Sequence, residues 1–201
     1  MIEYIKGKVV SLNPAYVIIE TGGIGYFINI SLNTYTGLEG QNEAKLFIYE
    51  IIREDAHLLF GFSTVKERSV FEKLISVSGV GANTARLILS SLTADQTVYA
   101  IINADASAFK AVKGIGKKTA ERIIVDLKDK VKTIDIETEI ESEGEKTGAV
   151  HNRNREDALS ALVALGYNRK EAEKALSKVV TSVQDDDVAE LVRETLKILT
   201  S

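Results

Sequence analysis

Two segments of this chain, offset by 35 residues, repeat one another closely enough to fix how the region between them can fold. The first runs Leu74-Ile75-Ser76-Val77-Ser78-Gly79-Val80-Gly81, followed by Thr84, Ala85 and Ile88. The second runs Phe109-Lys110-Ala111-Val112-Lys113-Gly114-Ile115-Gly116, followed by Thr119, Ala120 and Ile123. Each places Gly-aliphatic-Gly at the mouth of an amphipathic helical pattern. A turn of that kind aims backbone N–H groups out of a helix N-terminus, which is a ready seat for a phosphate. Gly79, Gly81, Gly114 and Gly116 are expected to supply positive φ and to leave room for close approach. Two such turns in tandem, a helix-hairpin-helix pair, suggest two grips on a nucleic-acid backbone. Phosphate contacts of this sort position a duplex and read no bases, so the binding should be largely independent of sequence.

A formal net charge of −4 at first argues against a DNA binder, but the charge is unevenly spread. Residues 1–64 carry −3, residues 65–132 carry +5, residues 133–150 carry −5, and the last 51 residues carry −1. The only net-positive segment is the one with the two turns, including Lys117, Lys118 and Arg122. Charge therefore follows the motif, and the whole-chain value conceals it.

Periodicity divides the rest. Short β-rich runs are predicted at Tyr4–Ser11, Tyr16–Thr21, Gly25–Ile30, Ala44–Arg53 and His57–Phe62, with Gly22-Gly23 as a hairpin turn. Five short strands in some 60 residues suit a small closed barrel of the OB type. At Thr64 the period becomes helical. Thr64-x-x-Glu67 and Thr93-x-x-Gln96 read as capping boxes, and about five helices are expected through residue 132. Residues 133–155, with six carboxylates and two glycines between Thr133 and Val150, read as a flexible acidic linker. Residues 156–201 read as a three-helix bundle with an Asn168-x-x-Glu171 cap, near the lower size limit for independent folding. The fold class expected is thus multidomain α+β: a barrel over 1–63, tandem hairpins over 64–132, a linker over 133–155 and a bundle over 156–201.

Several chemistries find no support. There is no Cys, the two histidines His57 and His151 form no ligand pattern, and no complete catalytic cluster is evident, so no metal, cofactor or catalytic residue is expected. Gly114-Ile115-Gly116-Lys117-Lys118-Thr119 imitates the end of an ATPase phosphate loop, but Ala111 stands where its first Gly belongs and Lys118 intrudes before Thr119. A glycosylase would need a catalytic Asp in a Gly/Pro-rich loop after the hairpin; the single Pro is Pro14, and the residues after Gly116 are an unbroken helical pattern. No apolar run is long enough for a membrane span and no signal peptide is visible, so a cytoplasmic protein is expected. Arg53-Glu54-Asp55-Ala56, between two apolar runs, reads locally as an ordinary charged turn, with a carboxylate pair for metal or proton transfer as its alternative.

Taken together, the barrel-like start ending Arg53-Glu54-Asp55-Ala56-His57-Leu58-Leu59-Phe60-Gly61-Phe62, the two hairpins, the linker and the small helical end resemble the RuvA family of Holliday-junction-binding proteins. The resemblance implies a non-catalytic, tetrameric subunit that holds four-way junction DNA open for branch migration in recombination and repair. It implies phosphate contacts from Gly79, Val80, Gly81, Asn83 and Thr84, and from Gly114, Ile115, Gly116, Lys117, Lys118, Thr119 and Arg122. It assigns Glu54 and Asp55 to an acidic pin that repels phosphates at the crossover. It implies docking of the hexameric RuvB ATPase by the last domain, for which Leu162, Leu165 and Tyr167 are candidates, and the RuvC resolvase as a further partner. One departure stands out: the family's first hairpin often carries Pro-Lys after its second Gly, and here Ala82-Asn83 takes that place. The phosphate contact should weaken there, or pass to Arg86 or a backbone N–H.

Overall fold

The computed structural model describes residues 1–131, 150–179 and 188–199. They fall into two compact units divided after Glu139.

The first unit begins with strands β1 (Tyr4–Asn13), β2 (Tyr16–Thr21) and β3 (Ile24–Ile30), followed by helix α1 (Leu32–Leu38), β4 (Glu43–Ile52) and β5 (His57–Phe62). The strands close in the order β1-β2-β3-β5-β4, with β3 and β5 parallel and the other pairs antiparallel. This is the five-stranded OB-type barrel. Its inner face follows the period-2 pattern: Val17 and Ile19, Ile28 and Ile30, Ala44, Leu46 and Ile48 are all buried. Gly22-Gly23 turns the β2–β3 hairpin, whose last pair is Thr21 with Ile24.

Five helices follow: α2 (Val65–Ile75), α3 (Ala82–Ser91), α4 (Ala94–Ile102), α5 (Ala106–Lys110) and α6 (Lys117–Leu127). They share one apolar core to which the barrel contributes Phe60 and Phe62. Phe71 of α2 lies at its junction with the barrel, its ring centroid 4.9 Å from Phe62, 5.2 Å from Phe60 and 5.5 Å from Tyr49. Barrel and helices are therefore one packed body.

The Thr93 box forms as expected, the Thr93 hydroxyl accepting from Gln96 N–H and the Gln96 amide oxygen from Thr93 N–H. The Thr64 box forms only by half. Thr64 caps Glu67 N–H at 3.1 Å, but the Glu67 carboxylate turns inward. There it accepts from Ser63 N–H at 3.1 Å and from the hydroxyls of Ser31 at 2.8 Å and Thr34 at 2.9 Å. Ser31 is itself the N-cap of α1, a helix not predicted from the sequence.

The second unit holds three helices, α7 (Val150–Ala164), α8 (Arg169–Val179) and α9 (Val188–Leu199). They enclose a separate core of Ala158, Leu159, Leu162, Ala172, Leu176, Val179 and Leu191. Asn168 caps α8 by accepting from Lys170 N–H at 3.0 Å. Residues 133–149 of the expected linker lie outside the described residues, and Val150–Arg155 belong to α7.

Candidate nucleic-acid interface

The two hairpins are built alike to within a few degrees. Gly79 and Gly114 each have φ of 91°, a backbone region open to Gly and strained for other residues. Gly81 and Gly116, the N-caps of α3 and α6, have φ/ψ of −85°/170° and −82°/170°. This corrects the expectation that all four glycines supply positive φ: the second Gly of each turn is extended, a conformation any residue adopts. A Cβ on Gly81 or Gly116 would meet no protein atom within 4 Å. Among the described residues nothing demands Gly at those two positions, and the backbone there is open to approach from outside.

Between the glycines, Val80 and Ile115 point into the shared core, 4% and 6% exposed. Their N–H groups bond back to Val77 O at 3.0 Å and Val112 O at 3.1 Å, which locks each turn. These two aliphatics position the turn, and any contact they make outward is through backbone. The helix that follows each turn has no side-chain cap. The N–H groups of the first turns of α3 and α6, including those of Asn83, Thr84, Lys118 and Thr119, thus remain aimed at whatever lies beyond the N-terminus.

The side chains around the two turns differ. Lys110, Lys113, Lys117 and Lys118 are exposed around the second, where the first has Ile75, Ser78, Ala82 and Asn83. Lys117 and Arg122 make long i,i+4 pairs with Glu121 at 3.9 Å and Asp126 at 3.7 Å, all four groups at least a third exposed. Such pairs contribute little and release their cations readily. Arg86, the one cation of α3, is not at the first turn's disposal. Its Nη1 donates to Ala15 O at 2.8 Å, so the residue ties the helical region to the β1–β2 turn. Of the two substitutes for the missing first-hairpin cation, the backbone N–H groups are the one left open.

Glu54 and Asp55 sit at the tip of the β4–β5 hairpin, closed by Arg53 N–H to Ala56 O at 2.8 Å, and both are exposed. Below the tip, Tyr49 and Ile51 pack on the helical core. On the strands' other side, Glu50 Oε1 meets His57 Nε2 at 2.7 Å, and Glu50 Oε2 accepts Ile2 N–H at 3.3 Å. The His57 hydrogen bond holds the Glu50 carboxyl below the usual carboxylate range, against the smaller opposing effect of burial. The sequence gives no sign of this pair, because its partners sit seven residues apart and meet only through strand register, Ile52 opposite His57 and Glu50 opposite Leu59. Among the described residues, no cluster of three or more His, Asp or Glu side chains is arranged as metal ligands, and no helix is long and apolar enough to cross a membrane.

In the second unit, Leu162 is fully buried and belongs to the bundle core, so it offers no docking surface. Tyr167 packs against that core, and Leu165 is 60% exposed.

Three family models match this chain in order: the RuvA N-terminal domain over residues 1–61, a SAM-like helix-hairpin-helix tandem over 71–129, and the RuvA C-terminal domain over 153–200. The chain belongs to the RuvA family. Its relatives match end to end. A protein of Bacteroides fragilis is 45% identical over 201 residues, covering 99% of this chain and all of its own length. Proteins of Parabacteroides distasonis and Azobacteroides pseudotrichonymphae are 48% and 47% identical over 200 residues with the same coverage. Each of the three relatives is named as the RuvA subunit of a Holliday junction branch migration complex.

Proposed function

We propose that this chain binds four-way DNA junctions without regard to sequence and serves as the non-catalytic, DNA-holding subunit of a branch-migration motor. The observation that carries the reading is the end-to-end likeness to relatives named for that complex. The geometry supplies the physical means. Each hairpin presents a bare backbone and an uncapped helix N-terminus, which suits a phosphate of the duplex arms. The contact residues are Gly79, Gly81, Asn83 and Thr84 in one hairpin and Gly114, Gly116, Lys117, Lys118, Thr119 and Arg122 in the other, with Val80 and Ile115 as the buried wedges that set each turn.

Glu54 and Asp55 act as the pin. In a tetramer, four exposed acidic tips meet at the crossover and push phosphates apart, favouring an open junction whose strands can be exchanged. The pair works by repulsion, with no proton transfer and no metal. The second unit docks the hexameric RuvB ATPase, which supplies the work, and Leu165 is the exposed apolar candidate for that contact; RuvC resolvase is a further partner on the same junction. The setting is the cytoplasm.

A competition gel shift tests the reading. The full chain, at fixed salt and without Mg²⁺, is offered a four-way junction against a linear duplex of the same arm sequence. Strong preference for the junction is expected. Equal affinity would reduce the chain to a tandem-hairpin duplex binder, and cleavage of the junction in a parallel incubation with Mg²⁺ would reveal a catalytic centre and overturn the non-catalytic role.

A further inference from the structure

The first hairpin is tied to the barrel by hydrogen bonds that its own turn does not need. The turn itself closes through Val80 N–H to Val77 O and the positive φ of Gly79. Yet both helices that flank it are also held by barrel segments distant in sequence. Helix α1, which the barrel inserts between β3 and β4, takes hold of each. On one side, the hydroxyls of Ser31 and Thr34 donate to Glu67 of α2. On the other, Asn33 Nδ2 donates to Leu89 O at 2.6 Å and to Leu92 O at 3.1 Å, carbonyls at the end of α3 that no further helical turn satisfies. Leu32 N–H donates to Ser90 Oγ at 3.0 Å, and the Ser90 hydroxyl donates in turn to Arg86 O at 2.8 Å. Nearer the start of α3, Arg86 Nη1 donates to Ala15 O, a carbonyl that also accepts Ile30 N–H at 3.1 Å. Ile30 lies opposite Gly61 in the parallel β3–β5 pair, and Asn29 Nδ2 donates to Leu59 O at 3.0 Å. From there β5 runs back to the tip that carries Glu54 and Asp55. The second hairpin is placed otherwise: the long pairs of Lys117 and Arg122 stay within α6, and its turn joins the rest through the shared apolar core.

We infer that Asn33 and Arg86 are positioning residues for the choice of a junction over a linear duplex: with α1 as a bracket, they hold the first phosphate seat at one distance and angle from the acidic tip. Gripping a linear duplex needs only the turn. Choosing a junction needs more, because an arm phosphate and the crossover must be met at once, at a spacing that the DNA sets. A recognition site works only when its parts are held to within about 0.5 Å of that geometry. Apolar packing is non-directional and lets a helix slide, whereas hydrogen bonds at fixed angles stop it. The inference rests on the proposed junction reading, including the pin role of Glu54 and Asp55.

The test is the affinity of the full chain for a four-way junction and for a linear duplex of the same arm sequence, at fixed salt. It compares the wild type with Asn33→Ala, Arg86→Ala and Arg86→Lys, and the readout is the ratio of the two affinities. Loss of a charge or of general stability moves both affinities together, whereas loss of registration moves the junction alone. Each Ala variant should lower the ratio about three- to tenfold, the factor to which the free energy of an ordinary hydrogen bond converts. Asn33 is exposed and uncharged, so Asn33→Ala should keep the fold and the wild-type affinity for duplex. Arg86→Lys, which keeps a donor for Ala15 O, should retain most of the preference. A residue whose Ala variant keeps the wild-type ratio, while the wild type prefers the junction, loses its role, and the junction reading stands. Junction and duplex affinities that fall in step would reduce the bonds to holding the fold and would also overturn the inference. Equal wild-type affinity for the two DNAs would overturn the junction reading itself, and the inference with it.

Discussion

Glycines 114 and 116 look equivalent in sequence but answer to different demands, one from the fold and one from the surface. Gly114 holds φ of 91°, so Gly114→Ala should destabilise the unit by about 1–3 kcal/mol through backbone strain. Gly116 is extended and a Cβ there meets nothing, so Gly116→Ala should leave the unfolding curve unchanged and lower junction affinity. Denaturant unfolding beside a gel shift separates the two, and wild-type affinity in folded Gly116→Ala would refute the phosphate grip. Glu67 gives a second residue-level prediction. Burial pushes its carboxyl above the ordinary value of 4.5, and the bonds from Ser31, Thr34 and Ser63 oppose that only in part. A proton thus binds more tightly in the folded than in the unfolded chain. This contribution to stability is fully present below the unfolded pKa and is lost as pH rises through the folded one. Glu67→Gln should flatten the stability profile from pH 4.5 upward, whereas Glu67→Ala should cost about 1–3 kcal/mol by removing the shared acceptor of the buried Ser31 and Thr34 hydroxyls. Tyrosine fluorescence follows this well, since six of the seven tyrosines lie in the first unit.

At the scale of elements, the two hairpins share a backbone geometry, and on the proposed reading they divide the grip on phosphate. The first, with Ala82-Asn83 at the helix start and Arg86 engaged by Ala15, would offer phosphate its N–H groups; the second would add Lys117 and Lys118. Salt dependence should come mostly from the second. Lys117→Ala with Lys118→Ala should flatten the log–log slope of junction binding by about 0.9 for each phosphate no longer neutralised, and an unchanged slope would place the charge contacts elsewhere. The same elements show what could be read in advance. The strands of the barrel and helices α2 to α6 are legible because each keeps its own period, and the repeat of Gly-aliphatic-Gly marks both turns from the residues alone. Helix α1 is hidden because its capping network is not local. Ser31 has Thr34, not an acid, three residues on, and the carboxylate that completes the network is Glu67, 36 residues later. The tie between Arg86 and Ala15 spans 71 residues and leaves no local trace either.

At the scale of the whole molecule, the first unit carries both hairpins and the acidic tip on its own cores, and the described residues of the second pack a core of their own. Two units built so independently should be separable in function. Removing residues 150–201 should leave junction affinity and its salt dependence intact and abolish motor-driven branch migration. On the proposed reading the second unit docks the motor, and its covalent link to the first holds motor and junction at an effective concentration that free solution does not match. Residues 150–201 added as a separate fragment should therefore fail to rescue the truncated chain. In excess, the fragment should slow migration by the intact chain, because it occupies the motor without bringing a junction. Leu165→Asp in that fragment should relieve the inhibition without unfolding the bundle, since Leu165 is exposed while the neighbouring Leu162 is not. Migration by the truncated chain at the wild-type rate would mean that the motor is engaged through the first unit, and the second would need another partner.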